Sequence, residues 1–158
     1  MLVAVVLNCF VPEFVNNVAE NMTDYEPAMA DSFLAFAAYF GAAIVLTSLF
    51  ILVYVRTTPH NEFKLMREGN GAAALGLVGA MLGFVIPLAL VISVSGAVLE
   101  AAIWGGGALL VQIAGQFGAR LMFPSLTTDI AAGKFSAAIV QSGIALSLGI
   151  LQAACWTP

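Results

Sequence analysis

Residues 71–99, GAAALGLVGAMLGFVIPLALVISVSGAVL, carry no charged side chain, and the run is longer than the roughly 20 apolar residues a helix needs to cross about 30 Å of hydrocarbon. Three more uncharged runs share this character, at 32–55, 101–119 and 135–158. A helix satisfies its backbone hydrogen bonds internally and so can cross lipid, whereas a barrel strand would need alternating polar positions that these runs lack. The pattern predicts an all-α integral membrane protein with four transmembrane helices, at about 32–55, 72–95, 100–121 and 135–156. Composition agrees. Of 158 residues 61% are apolar and 9% charged, with a mean hydropathy of +1.02, against roughly 45–50% apolar and about 25% charged in soluble domains. The net charge of -4 leaves no basic surface to release counterions from a phosphate backbone, which excludes nucleic acid as a partner. The partner that composition does imply is the lipid bilayer.

All five basic residues lie in two short stretches: Arg56, Lys64 and Arg67 after the first span, and Arg120 and Lys134 around the link between the third and fourth. The positive-inside rule makes both stretches cytoplasmic and both termini periplasmic. Residues 1–31 form a leader. Val3, Leu7, Phe10, Phe14 and Val18 recur at helical spacing, which suits an interfacial helix kinked at Pro12, or else a flexible segment. Translation from Met22 or Met29 is the alternative.

A shift of 64 residues, which brings Arg56 onto Arg120, also superposes Phe40-Gly41 on Trp104-Gly105, Gly69 on Gly133, Ala73-Ala74 on Ala137-Ala138 and Gly79 on Gly143. The chain therefore reads as two tandem helical hairpins, 32–95 and 96–158. Each hairpin has an even number of spans, so the copies share one orientation.

Several residues invite a role. Gln112 and Gln116 share one helix face; Gln141 and Gln152 nearly realign three turns apart. Lipid penalises amides, so these four face the interior or a subunit interface, and the repeat sets Ser48 opposite Gln112. They act either as interhelical hydrogen bonds, worth about 0.6–2 kcal/mol each, or as the lining of a hydrated path. Gly79 and Gly83 form a GxxxG extended by Gly76, and Gly105, Gly106 and Gly107 form a second small-residue zone; both suit close helix packing, within the chain or in a homo-oligomer. Pro87 removes a backbone donor and should kink its helix. Glu100 suits a cap at the start of the third helix, and Arg56 and Arg120 suit snorkelling to the headgroups. His60, Glu62, Lys64 and Arg67 sit on a charged loop that suits docking of a cytosolic protein. His60 is the sole histidine and has no second ligand to complete a metal site. Cys9 and Cys155 fall on the outward side, where a disulfide is permitted, although Cys155 also reads as a small buried hydrophobe at a span end. No nucleophile and base pair, carboxylate pair, phosphate loop or cofactor ligand set is present, so no catalytic residue, cofactor or metal is expected.

The runs Phe33-Leu34-Ala35-Phe36 and Ala38-Tyr39-Phe40, the loop Thr58-Pro59-His60-Asn61-Glu62, the segments Gly83-Phe84-Val85-Ile86-Pro87-Leu88 and Trp104-Gly105-Gly106, and the late Ala153-Ala154-Cys155 resemble the YjfL family of bacterial inner-membrane proteins, built from tandem copies of a domain of unknown function. The resemblance covers about residues 31–157. It implies a four-helix inner-membrane protein of unassigned biochemistry, in some genomes encoded near envelope-stress proteins of the phage-shock type and polyamine enzymes. The chain departs from the family in its leader and in Gln152, where relatives tend to have Asn. Together these readings favour a non-enzymatic oligomeric module or scaffold with a cytosolic docking loop. The alternative is a small ion or solute channel lined by Ser48, Gln112, Gln116 and Gln141.

The orientation is directly testable. A reporter fused after Pro158 should be active only in its periplasmic form; activity of a cytoplasmic reporter at that site would reverse the topology.

Overall fold

The computed structural model describes residues 2–58 and 62–156, and side-chain surroundings from Met29 onward. It is helical throughout: α1 Leu2–Thr57, α2 Glu62–Arg67, α3 Gly71–Val94, α4 Val98–Met122, α5 Leu126–Ala131 and α6 Phe135–Ala154. Four helical stretches are long and apolar enough to span a membrane: Met29–Thr57, Gly71–Val94, Val98–Met122 and Phe135–Ala154. These agree with the expected spans to within a few residues, except that the first starts earlier. Residues 2–28 are helical, Pro12 included, and continue into the first span as one helix. The chain divides into two compact units at Ala38/Tyr39. The first is the early part of α1; the second contains everything described below.

The short connecting helices end alike. Gly69 after α2 and Gly133 after α5 have φ of 85° and 81°, a left-handed conformation that glycine adopts without a Cβ penalty. In both, the following residue's N–H reaches back to close the helix, Asn70 to the Leu65 carbonyl at 2.9 Å and Lys134 to the Asp129 carbonyl at 2.9 Å. This six-to-one bond is the Schellman stop, which turns the chain directly into the next span. Asn70 then caps α3, its Oδ1 accepting from the Ala73 N–H at 3.0 Å, while its Nδ2 donates to the Ile130 and Ala131 carbonyls at 3.1 and 3.0 Å. One amide thus satisfies an orphan donor at the start of α3 and two carbonyls at the end of α5.

The closest packing is between α3 and α6. A Cβ on Gly79 would collide with Ser142, one on Gly83 with the Ala145 carbonyl and the Gln112 amide, and one on Gly149 with the Gly83 carbonyl. Pro87 explains that last contact. Lacking an N–H, it leaves the Gly83 carbonyl without its helical partner, and the freed oxygen lies against the Cα of Gly149, where a weak Cα–H···O contact is available. α3 runs helically through Pro87, which is buried, to Val94. On the α1 side, Phe50 stacks on Phe84 with ring centroids 4.7 Å apart and planes 12° apart. Both rings are fully buried.

The expected small-residue zone at Gly105–Gly107 is only partly used. Gly105 lies against Leu46 and Leu88, but Cβ atoms on Gly106 and Gly107 would meet nothing within 4 Å, because these two turn away from the bundle. Gly76 makes ordinary contacts with Gln141 and Ile130. Gly115, close against Leu148, and Gly149 carry packing that the sequence reading missed.

Gly83→Val should therefore destabilise the bundle by about 1–3 kcal/mol through overpacking, whereas Gly106→Val should leave it nearly unchanged. Unfolding by titration with a denaturing detergent in mixed micelles distinguishes the two.

Candidate functional site

Gln112, Gln116 and Arg120 lie at successive i, i+4 positions of α4 and form one row. Gln112 is fully buried; its Nε2 donates to the Ala145 carbonyl at 3.1 Å, while Oε1 has no partner among the described residues. Gln116 is buried one turn on. From α6, Gln141 Nε2 donates to the Tyr54 hydroxyl oxygen at 2.5 Å, and Ser142 Oγ donates to the Leu75 carbonyl at 3.0 Å.

At the end of the bundle that bears α2 and α5, these groups meet ionisable ones. Tyr54 of α1, fully buried, is hydrogen-bonded to the Glu62 carboxyl at the start of α2. Glu62 is 5% exposed. Arg120 donates from Nη1 to the Thr57 carbonyl at 2.6 Å, and its guanidinium lies 5.6 Å from the Phe117 ring centroid. A cation at the last carbonyls of α1 is favoured by the helix dipole. Glu62 Oε2 and Arg120 Nη2 are buried and have no partner among the described residues. Burial raises the Glu62 carboxyl from 4.5 to about 7, with the Tyr54 hydrogen bond and the Arg120 charge opposing part of that rise. A carboxyl so placed can take up and release a proton near neutral pH. On the surface, Lys134 Nζ sits 2.7 Å from Asp129 Oδ1 and holds that carboxyl below its usual range.

The sequence-derived candidates separate into groups. Gln112, Gln116 and Gln141 come together in the interior. Ser48 does not join them: it is exposed and faces an apolar groove of about 320 Å³ with Phe40, Thr47, Val85 and Leu88. The repeat placed it opposite Gln112, but α1 meets the bundle through Phe50 and Tyr54, which turns Ser48 outward. Gln152 is half-buried, its Oε1 shielded and without a partner among the described residues. Of the loop candidates, Lys64 and Arg67 are exposed, and Lys64 pairs with Glu68 at 3.9 Å. Glu62 instead turns inward and leaves the surface those two present; His60 lies outside the described residues.

Arg120 does not snorkel outward but binds Thr57, whereas Arg56 is exposed. Glu100 Oε2 accepts from the Gly96 N–H at 3.1 Å ahead of α4, as a cap does. Cys155 is exposed and free rather than buried at a span end; Cys9 lies outside the residues whose side chains are described. Among the described residues, no group of three His, Cys, Asp or Glu converges on a metal position.

Tyr54, Arg120 and Glu62 are the functional groups that sequence reasoning missed or misassigned. Extending the Gln112–Gln116 row by one turn would have found Arg120. Nothing periodic links Tyr54 to Glu62, since they belong to different helices, α1 and α2.

Comparison with known proteins matches this architecture to a family. The profile described as Domain of Unknown Function (DUF350) matches residues 28–156. The chain is 38% identical over 127 residues to UPF0719 inner membrane protein YjfL of Escherichia coli strain K12, covering 80% of this chain and 96% of that protein, and equally to the protein of the same name in Escherichia coli O157:H7. No solved structure matches. Residues 1–27 of the leader lie outside the profile match, while all four apolar spans and the buried polar cluster lie within it. On the strength of that match and that identity, the chain belongs to the DUF350 family, and its four apolar helices make it a multi-pass protein of the inner membrane.

Proposed function

We propose that the protein is a non-enzymatic membrane module that assembles with further copies of itself and presents its charged linkers to the cytosol. The observation that carries this reading is where the buried polar groups point. Gln112, Gln141 and Ser142 donate to the Ala145 carbonyl, the Tyr54 hydroxyl and the Leu75 carbonyl. The polar stripe is thereby engaged in joining helices, which is the economical use of an amide in lipid.

Self-association is supported by α1. Only 6% of its most apolar stretch is buried, against 50% in α3, leaving an apolar flank and the groove beside Ser48 for lipid or for another copy. The tandem-repeat reading is supported by the element boundaries: α2 at Glu62–Arg67 and α3 from Gly71 recur 64 residues on as α5 at Leu126–Ala131 and α6 from Phe135, with a left-handed glycine at the same place in each. Both hairpins then point the same way. The five basic residues near the α2 and α5 end, among them the exposed Lys64 and Arg67, support a cytosolic position for that end and periplasmic termini. Lys64 and Arg67, flanking the exposed Phe63, are the surface on offer to a cytosolic protein.

A second reading, a hydrated path for an ion or small solute, draws support from the shielded Oε1 atoms of Gln112 and Gln152. Each could accept from water.

Ion and small-solute flux through liposomes decides between the two. The module reading predicts vesicles as tight as protein-free ones, with a Gln112→Leu, Gln116→Leu variant equally tight but easier to unfold. Flux that the double variant abolishes would establish the path instead.

A further inference from the structure

α2 is held to the bundle by Leu65 and Met66, half-buried against the core, and by one fully inserted side chain. Among Glu62–Arg67, Glu62 alone is buried, while Phe63, Lys64 and Arg67 are exposed. The carboxyl enters a pocket built by three distant parts of the chain. α1 supplies the buried Tyr54 hydroxyl, hydrogen-bonded to it; α4 supplies the Arg120 charge; and α6 supplies Gln141, which braces the same hydroxyl. α3 brings no titratable side chain anywhere in Gly71–Val94. Among the described residues, the ionisable groups facing Glu62 are Tyr54 and Arg120. His60, two residues away along the chain, lies outside the described residues.

An ionised carboxylate pays for burial in lost hydration, and a neutral carboxyl pays far less. Here the compensation is incomplete, because Glu62 Oε2 and Arg120 Nη2 are both shielded without a partner among the described residues. Lifting α2 off the bundle returns the carboxyl to water. The docked segment therefore holds a proton more tightly than the released one, and by linkage protonation and docking must favour each other.

The geometry points to Glu62 as a proton-binding site whose occupancy sets how firmly α2 is docked: protonated, the side chain pins the start of α2 into the Tyr54–Arg120 pocket, and ionised, it loosens that end and leaves Leu65 and Met66 to hold the segment. The direction follows from burial. The docked carboxyl is raised from 4.5 to about 7, so docking has its full strength below about 4.5 and loses it as pH rises through about 7. That window has its upper edge near neutrality, so acidification on the α2 side tightens the segment that carries Lys64 and Arg67. The inference holds whether or not that segment meets a partner.

The test uses the full chain in lipid nanodiscs, with Cys9→Ser and Cys155→Ser and a nitroxide on Arg67→Cys, whose spectral mobility is followed from about pH 5 to about pH 9. The label should be more ordered at acid pH and more mobile at alkaline pH, with a midpoint between about 4.5 and about 7. Glu62→Gln, permanently neutral, should stay ordered across the range, and His60→Gln should keep the wild-type transition. A flat wild-type titration, a transition that survives Glu62→Gln, or one that vanishes with His60→Gln would overturn the site. Should Glu62→Gln fail to insert, the infrared carboxyl band of the Glu62 side chain is followed instead. Tyr54→Phe, which removes a hydrogen bond favouring the ionised form, should move its midpoint to higher pH; an unchanged or lowered midpoint would equally overturn it.

Discussion

The backbones of α3 and α6 touch at Gly83, and the rest of the bundle is arranged around that contact. Lipid tails are as apolar as the helices, so no hydrophobic drive brings helices together inside the membrane; close van der Waals approach and polar contacts must do it. Gly79, Gly83 and Gly149 permit the approach, since a Cβ on any of them would collide with the facing helix. Pro87 adds to it by freeing the Gly83 carbonyl, which lies against Gly149. Gln112 then brings α4 onto the same spot, donating to the carbonyl of Ala145 beside Gly83. Three helices thus converge on one backbone contact and one amide.

α1 is joined differently, which has consequences for function. Within the second unit it meets the bundle through Phe50 on Phe84, Leu46 on Gly105 and Tyr54 beneath Gln141, and its exposed residues there, from Phe40 to Arg56, are interleaved with half-buried ones. The polar groups concentrate at one end, where Tyr54, Glu62, Arg120 and Gln141 belong to four different elements. At the other end the Tyr39 hydroxyl donates to the Ser95 carbonyl at 3.1 Å, and Trp104 meets Trp156 edge to face with centroids 4.4 Å apart. The bundle is thus tight in α3 and α6, with exposed apolar residues on α1 and a polar cluster at the basic end.

The sequence made the four spans legible because charge avoidance over a membrane thickness is a property of single runs and needs no tertiary information. The Gly79–Gly83 seam was legible for a similar reason: the GxxxG spacing sets small residues on one helix face. Its partner was not, because Gly149 stands alone in α6 and gains meaning only from where the Gly83 carbonyl points. Gly106 and Gly107 looked equivalent to Gly105, yet helical geometry can aim only one of three consecutive residues at Leu46 and Leu88. The inward turn of Glu62 was hidden by its charge. A carboxyl beside Lys64 and Arg67 reads as solvated, and only the arrival of Tyr54 and Arg120 from distant helices makes a pocket for it. Ser48 failed for the converse reason, since equivalence within a repeat does not require equivalent surroundings when α1 and α4 pack differently.

The Gln112 amide fastens α4 to the α3–α6 seam through the Ala145 carbonyl. Dipolar recoupling by solid-state NMR tests it directly, in protein labelled with 15N at the glutamine side chains and 13C at the alanine carbonyls and embedded in lipid bilayers. The account predicts strong carbonyl dephasing that disappears in Gln112→Leu; dephasing that is absent, or that persists unchanged in that variant, would contradict it.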